Sequence, residues 1–193
     1  MPHVMQTEWD NSADPLPMLA NLRKGASPRK LRLFAAAGLR LVWDQIDEFG
    51  RAAIQIAEDF ADGHADAEQL RAARLACKGA SQCAAWYAAL SDPFIAARNA
   101  SLSAQSGGAA PAVLAGLMRD IFGPPILESP ALTPELLAFV RSIYEDRTFE
   151  QFVRLADMLV AAGISNEELL SHLRQAGQHV RGCWAIDALL GLR

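Results

Sequence analysis

The densest run of chemically capable side chains lies near the C-terminus, in His179-Val180-Arg181-Gly182-Cys183-Trp184-Ala185-Ile186-Asp187. Read as helix, it places an imidazole one turn before a thiol and a carboxylate one turn after it. That spacing suits a nucleophile with a base and an orienting acid. The competing reading is structural: Cys183 and Trp184 fill a core, and Asp187, set in a packing face, forms an ion pair with an arginine supplied by the N-terminal basic helix. A buried carboxylate needs such a partner, because an uncompensated charge in an apolar interior is costly. The structural reading is preferred, since nothing resembles an oxyanion loop and a cysteine inside a helix usually packs. His179, Arg181, Cys183, Trp184 and Asp187 are thus an ion-pair region or, alternatively, a site.

A second candidate surface is electrostatic. Between residues 21 and 43 stand Arg23, Lys24, Arg29, Lys30, Arg32 and Arg40 with no acid, and from 44 to 68 the balance reverses to eight acids against Arg51. On a helix, Arg29, Arg32 and Arg40 form a stripe with Trp43 beside it, a possible binding surface for an anionic partner. The alternative is that adjacent helices of opposite charge neutralise each other, and this is the more common outcome. A net charge of −4 argues against general nucleic-acid binding, which rests on phosphate neutralisation.

Other chemistry leaves no signature. His3, His64 and His172 are scattered, and no His-Glu-x-x-His, EF-hand, phosphate loop or dinucleotide fingerprint occurs. Cys77, Cys83 and Cys183 are too few and wrongly spaced for a disulfide framework or a common zinc half-site, so packed free thiols are expected. No metal and no cofactor is expected from the sequence.

The elements that must position these residues are helical. Valine, isoleucine and threonine supply 19 of 193 residues, while positions 51–100 hold 17 alanines. Sheets draw on β-branched residues and helices on alanine, so the fold class is all-α. Ser27-Pro28 and Thr133-Pro134 place a hydroxyl before a proline at the first helical position, and Asp66/Gln69 and Ser165/Glu168 have capping-box spacing. Gly163 and Gly177 stand where left-handed residues would end helices. Helices are expected near 15–24, 28–46, 48–62, 66–90, 92–101, 111–122, 134–146, 149–162, 166–175 and 179–191. Leu33 and Trp43 interrupt the polar side of 28–46, which places that helix centrally, covered on two sides. The pair 149–162 and 166–175 has a helix-turn-helix outline, but Glu167 and Glu168 begin its second helix, where phosphates would have to dock. An ordinary helical hairpin is expected instead. Together these make about eight to ten helices in one compact domain, 15–193, with orthogonal or bundle-like packing. Loops are expected near 101–111 and 123–133, after a flexible segment 1–14. That segment lacks the basic start and apolar run of a secretory signal, which suggests a cytoplasmic protein without a membrane span.

Four segments carry a resemblance: Asp14-Pro15 to Trp43, Ala61-Asp62-Gly63, Arg119-Asp120-Ile121-Phe122-Gly123, and His179 to Gly191. Together they resemble a group of uncharacterised bacterial proteins of planctomycete type. The resemblance implies kinship without an activity. Members of that group often carry paired cysteines just after the Leu-Phe-Ala of the basic helix, where this chain has Ala36-Ala37-Gly38. The departure speaks against a thiol or metal site joining that helix to Cys183.

The expected function is a non-catalytic helical interaction module or accessory subunit of a bacterial complex, with another protein as partner. The alternatives are a cysteine- or carboxylate-dependent enzyme at His179, Cys183 and Asp187, and a nucleic-acid-associated accessory protein using helix 28–46.

Overall fold

A computed structural model describes residues 8–23, 25–77, 84–124 and 130–192. Among them every regular element is helical, so the fold is all-α. The helices are α1 (Pro15–Leu22), α2 (Pro28–Arg40), α3 (Glu48–Ala61), α4 (Ala67–Ala76), α5 (Pro93–Ser106), α6 (Pro111–Ile121), α7 (Pro134–Asp146), α8 (Phe152–Ala161), α9 (Glu167–Arg174) and α10 (Trp184–Leu190). Short 3₁₀ turns lie at Trp43–Gln45, Ala84–Tyr87 and Phe149–Gln151. The chain divides into two compact units, residues 1–119 and 120–193.

The first unit is built on α2, whose residues Leu31 to Leu39 are all buried. It packs most extensively against α5, which offers a face of Ala96, Ala97, Ala100, Ser101 and Ala104. Side chains this small let two helices approach closely, and here the alanine-rich faces are used within one chain. Gly38 serves the same end: a Cβ there would stand 3.1 Å from the Leu114 side chain. Residues 8–11 form a helical turn, and Arg119 Nη1 donates to the carbonyls of Trp9 and Ser12 at 3.2 and 3.0 Å.

The second unit gathers α7 to α10 around Leu136, Val140, Ile143, Phe152, Leu155, Leu159, Leu169, Leu173, Ile186 and Leu189. α8 and α9 form the helical hairpin expected from their charges, reversing at Gly163 with φ 83°. The apolar 3.6-residue spacing of α8 accounts for its burial of Phe152, Leu155, Ala156 and Leu159.

Several local expectations change. Helix 28–46 ends at Arg40 and gives way to the 3₁₀ turn holding Trp43. Ser27 precedes Pro28 without a side-chain capping bond, whereas Thr133 Oγ1 accepts from Leu136 N–H at 3.3 Å. The Asp66/Gln69 capping box forms, but the expected Ser165/Glu168 box is replaced by Asn166, which accepts from Leu169 N–H at 2.9 Å. α9 ends at Arg174 with Gln175 extended, so Gly177 is not its cap. Residues 101–106, expected as loop, continue α5, because Ser101 and Ala104 are buried and packing overrides composition. The expected helix 66–90 ends at Ala76. Residues 78–83, including Cys83, residues 125–129 of the expected crossover, and residues 1–7 lie outside the described residues.

Candidate functional site

The tail departs most from expectation, and its departure builds the site. Residues 179–183 are not helical: Gly182 has φ 86°, a conformation that costs other residues about 1–2 kcal/mol, and α10 begins at Trp184. Cys183 therefore caps a helix instead of lying inside one. His179 and Cys183 no longer share a helical face, and both turn toward two residues from elsewhere. Asp120 comes from the last turn of α6 and His172 from the last turn of α9.

Asp120 is the hub. Its Oδ1 lies 2.7 Å from His179 Nδ1 and 3.1 Å from His172 Nε2, and its Oδ2 accepts from Val180 N–H at 3.0 Å. Cys183 Sγ is 3.2 Å from His172 Nε2. The indole N–H of Trp184 donates to His172 Nδ1 at 3.2 Å, so in this arrangement His172 carries its proton on Nε2, facing Asp120. Gly123 makes room for that indole: a Cβ at residue 123 would collide with Trp184 Cδ1 and Cγ. The Asp120–Gly123 segment and the His179–Trp184 segment thus meet around one centre.

The centre is enclosed. Cys183 is 0% exposed, and the side chains of Asp120 and His179 are 5% and 8% exposed. Burial is the largest influence on Asp120 and by itself would raise its pKa. The hydrogen bonds from His172 and His179, with the charge those rings can carry, together outweigh it and hold the carboxyl below its usual range. Burial, then the adjacent Asp120 charge, pushes the Cys183 thiol well above its ordinary value, against the smaller opposing influence of the backbone N–H groups at the start of α10. His179 Nε2 is buried and has no hydrogen-bond partner among the described residues.

One donor atom from each of Asp120, His172, His179 and Cys183 falls within 4.8 Å of all the others. A carboxylate, two imidazoles and a thiol are metal-ligand types, and no other group of three or more histidine, cysteine or acidic side chains among the described residues converges in this way.

The residues singled out from the sequence are placed as follows. His179, Cys183 and Trp184 belong to the centre. Arg181 lies with its guanidinium 5.1 Å from the centroid of the Tyr144 ring. Asp187, one turn into α10, is 1% exposed, as its place in a packing face requires. The arginines of α2 are engaged inside the first unit. Arg29 pairs with Asp62 at 2.9 Å, and Arg40 grips Glu58 through two bonds of 2.8 and 2.7 Å. Arg32 is buried, donating to the carbonyls of Ala88, Leu90 and Ser91. Trp43, off the helix on its 3₁₀ turn, lies between Arg40 and Arg51, whose guanidinium carbons stand 4.5 and 5.4 Å from ring centroids.

Asp120 and His172 were missed as site residues. One signal for Asp120 was readable: it follows Leu114, Leu117 and Met118 and precedes Ile121 on a helix whose buried face it shares. His172 stood alone in sequence, and only the fold brings it to Cys183. Comparison with protein-family models, with curated proteins and with solved structures finds no match to this chain, so the site is read from its own geometry.

Proposed function

We propose that this chain is a non-catalytic helical module that serves as the accessory subunit of a protein assembly, with its Asp120–His172–His179–Cys183 centre acting as an internal tie for the second unit. The complete burial of Cys183 carries this reading. A nucleophilic cysteine needs a thiolate and a path for substrate, and this sulfur is enclosed and kept protonated by burial and by Asp120. Engagement of Arg29 and Arg40 by Asp62 and Glu58 takes most of the positive charge off the α2 stripe, which speaks for a protein partner over nucleic acid. The surface suggested for that partner is Trp43 with the Arg40 and Arg51 guanidinium groups over its rings.

The test has two parts. Native protein treated with a thiol reagent should leave Cys183 unmodified until denaturant opens the unit, whereas fast, low-pKa modification would return the enzyme reading. Affinity purification from the native host should recover a stoichiometric protein partner, and Trp43→Ala should weaken its retention. A salt-sensitive mobility shift with nucleic acid and no protein partner would overturn the proposal.

A further inference from the structure

From the same centre we infer a site for a single divalent transition-metal ion, zinc being the expected occupant, ligated by Asp120 Oδ1, His172 Nε2, His179 Nδ1 and Cys183 Sγ. This goes beyond the reading above and does not depend on any partner.

Geometry comes first. Zinc bonds of about 2.0–2.3 Å in a tetrahedron put neighbouring ligand atoms roughly 3.3–3.7 Å apart. The donor atoms here are separated by 2.7, 3.1 and 3.2 Å where they touch, and all fall within 4.8 Å. To admit an ion, the touching pairs open by several tenths of an ångström and the widest pair closes by up to about 1 Å.

Charge comes second. Asp120 as carboxylate and Cys183 as thiolate supply two negative charges, which match a divalent cation and make the loaded centre neutral. Neutrality suits an enclosed place where any net charge is expensive. On binding, the Cys183 proton leaves to solvent, Asp120 is already ionised, and each neutral imidazole moves its proton to the nitrogen facing away from the ion. One supporting bond is in place: Val180 N–H holds the second oxygen of Asp120, while Cys183 stands at the N-cap of α10 without a side-chain capping bond. Such outer hydrogen bonds orient and tune metal ligands.

The third observation is the unpartnered nitrogen. A buried ring nitrogen without a hydrogen bond is uncommon, and His179 Nε2 is one. With Asp120 ionised, His179 Nδ1 carries the ring proton toward it at 2.7 Å; because no donor holds Nε2, that proton can move to Nε2 when an ion takes the Nδ1 position, on a ring whose centroid is 4.5 Å from that of Phe152. His172 differs, because its Nδ1 accepts the Trp184 indole N–H. Ligation through Nε2 puts a proton on Nδ1 and ends that bond. Trp184 is thereby a built-in reporter of occupancy.

With all four positions filled by protein, the site is of the closed, structural kind. The experiment uses the full chain, purified without added metal or chelator. Elemental analysis should find about one zinc per chain. After chelation, Zn²⁺ should raise the melting temperature and shift tryptophan emission, and Trp184→Phe should abolish the emission shift while still binding metal. Co²⁺ should give a thiolate-to-cobalt charge-transfer band and the strong visible bands of a tetrahedral site. Cys183→Ser should remove the charge-transfer band, and a folded Val180→Pro variant, which loses the outer N–H to Asp120, should bind about 10–100-fold more weakly. Should the variants not fold, the wild-type titrations decide alone. A folded wild type that takes up no zinc, or binds cobalt with no thiolate band, overturns the inference. That result leaves the non-catalytic reading standing on its thiol and partner assays.

Discussion

Arg32 offers the most direct quantitative test, because the sequence offers it as a surface ligand and the fold uses it as an internal brace. Its side chain is part of a residue only 3% exposed. Nη1 donates to Ala88 and Leu90 carbonyls at 2.8 Å each, Nη2 to Ser91 at 3.3 Å, and the guanidinium carbon lies 5.1 Å from the Phe60 ring centroid. These carbonyls follow the 3₁₀ turn Ala84–Tyr87 and precede α5, so one guanidinium satisfies the backbone of a whole connection. Burial lowers the arginine's pKa, and the Asp92 charge works against that. Replacement by Met keeps the apolar stem and strands the acceptors. Hydrogen bonds to charged groups are worth about 1.5–3 kcal/mol each. Part of the loss is returned because no cation has to be dehydrated, which leaves about 3–5 kcal/mol. At about 2–4 °C per kcal/mol for a chain of this length, Arg32→Met should melt roughly 6–20 °C lower by circular dichroism or calorimetry. Arg32→Lys keeps charge but not the fork and should fall in between. A folded Arg32→Met protein melting within about 2 °C of wild type would refute the bracing argument.

Gly123→Ala places a methyl in the Trp184 indole; overpacking of this kind costs about 1–3 kcal/mol, and differential scanning calorimetry should show a melting point lower by about 2–12 °C with altered tryptophan emission. In chelated protein, the folded Asp120 pKa lies below the unfolded one, so its contribution is complete above about pH 4 and is lost as pH falls through the lower, folded value. The melting-point gap between wild type and Asp120→Asn should therefore narrow as pH falls below about 4, and an unchanged gap would contradict it. Asp187→Ala, which empties a buried carboxylate position in α10, should lower the melting temperature markedly by calorimetry; no change would dismiss an ion pair there.

Helix class and most helix starts were legible because they depend on local chemistry. Pro134 and Thr133, or Asp66 and Gln69, announce themselves within four residues, and the observed caps use those atoms. The ends were harder. Val180, Cys183, Trp184 and Asp187 keep helical spacing across Gly182, so periodicity alone extended α10 by a turn and more, and the left-handed glycine decided otherwise. The same error hid the centre, since it paired Cys183 with His179 along one helix. Their actual meeting point is Asp120, 52 residues from His172 and 59 from His179. Pairings over such separations depend on how helices stack, which no local pattern encodes. Charge was similarly ambiguous: the basic stripe of α2 and the acids of α3 were both plain in the sequence, but only the packing of α2 against α3 joins Arg40 to Glu58.

The unbroken burial of Leu31 to Leu39 has a consequence for how the first unit breathes. A helix that is wetted along one stripe can fray or bend and exchange its amide protons in small local openings. α2 has no such stripe over these residues, so solvent reaches their amides only when α3 and α5 come away together. Deuterium uptake there should track cooperative unfolding of the unit and mark α2 as its slowest-exchanging segment.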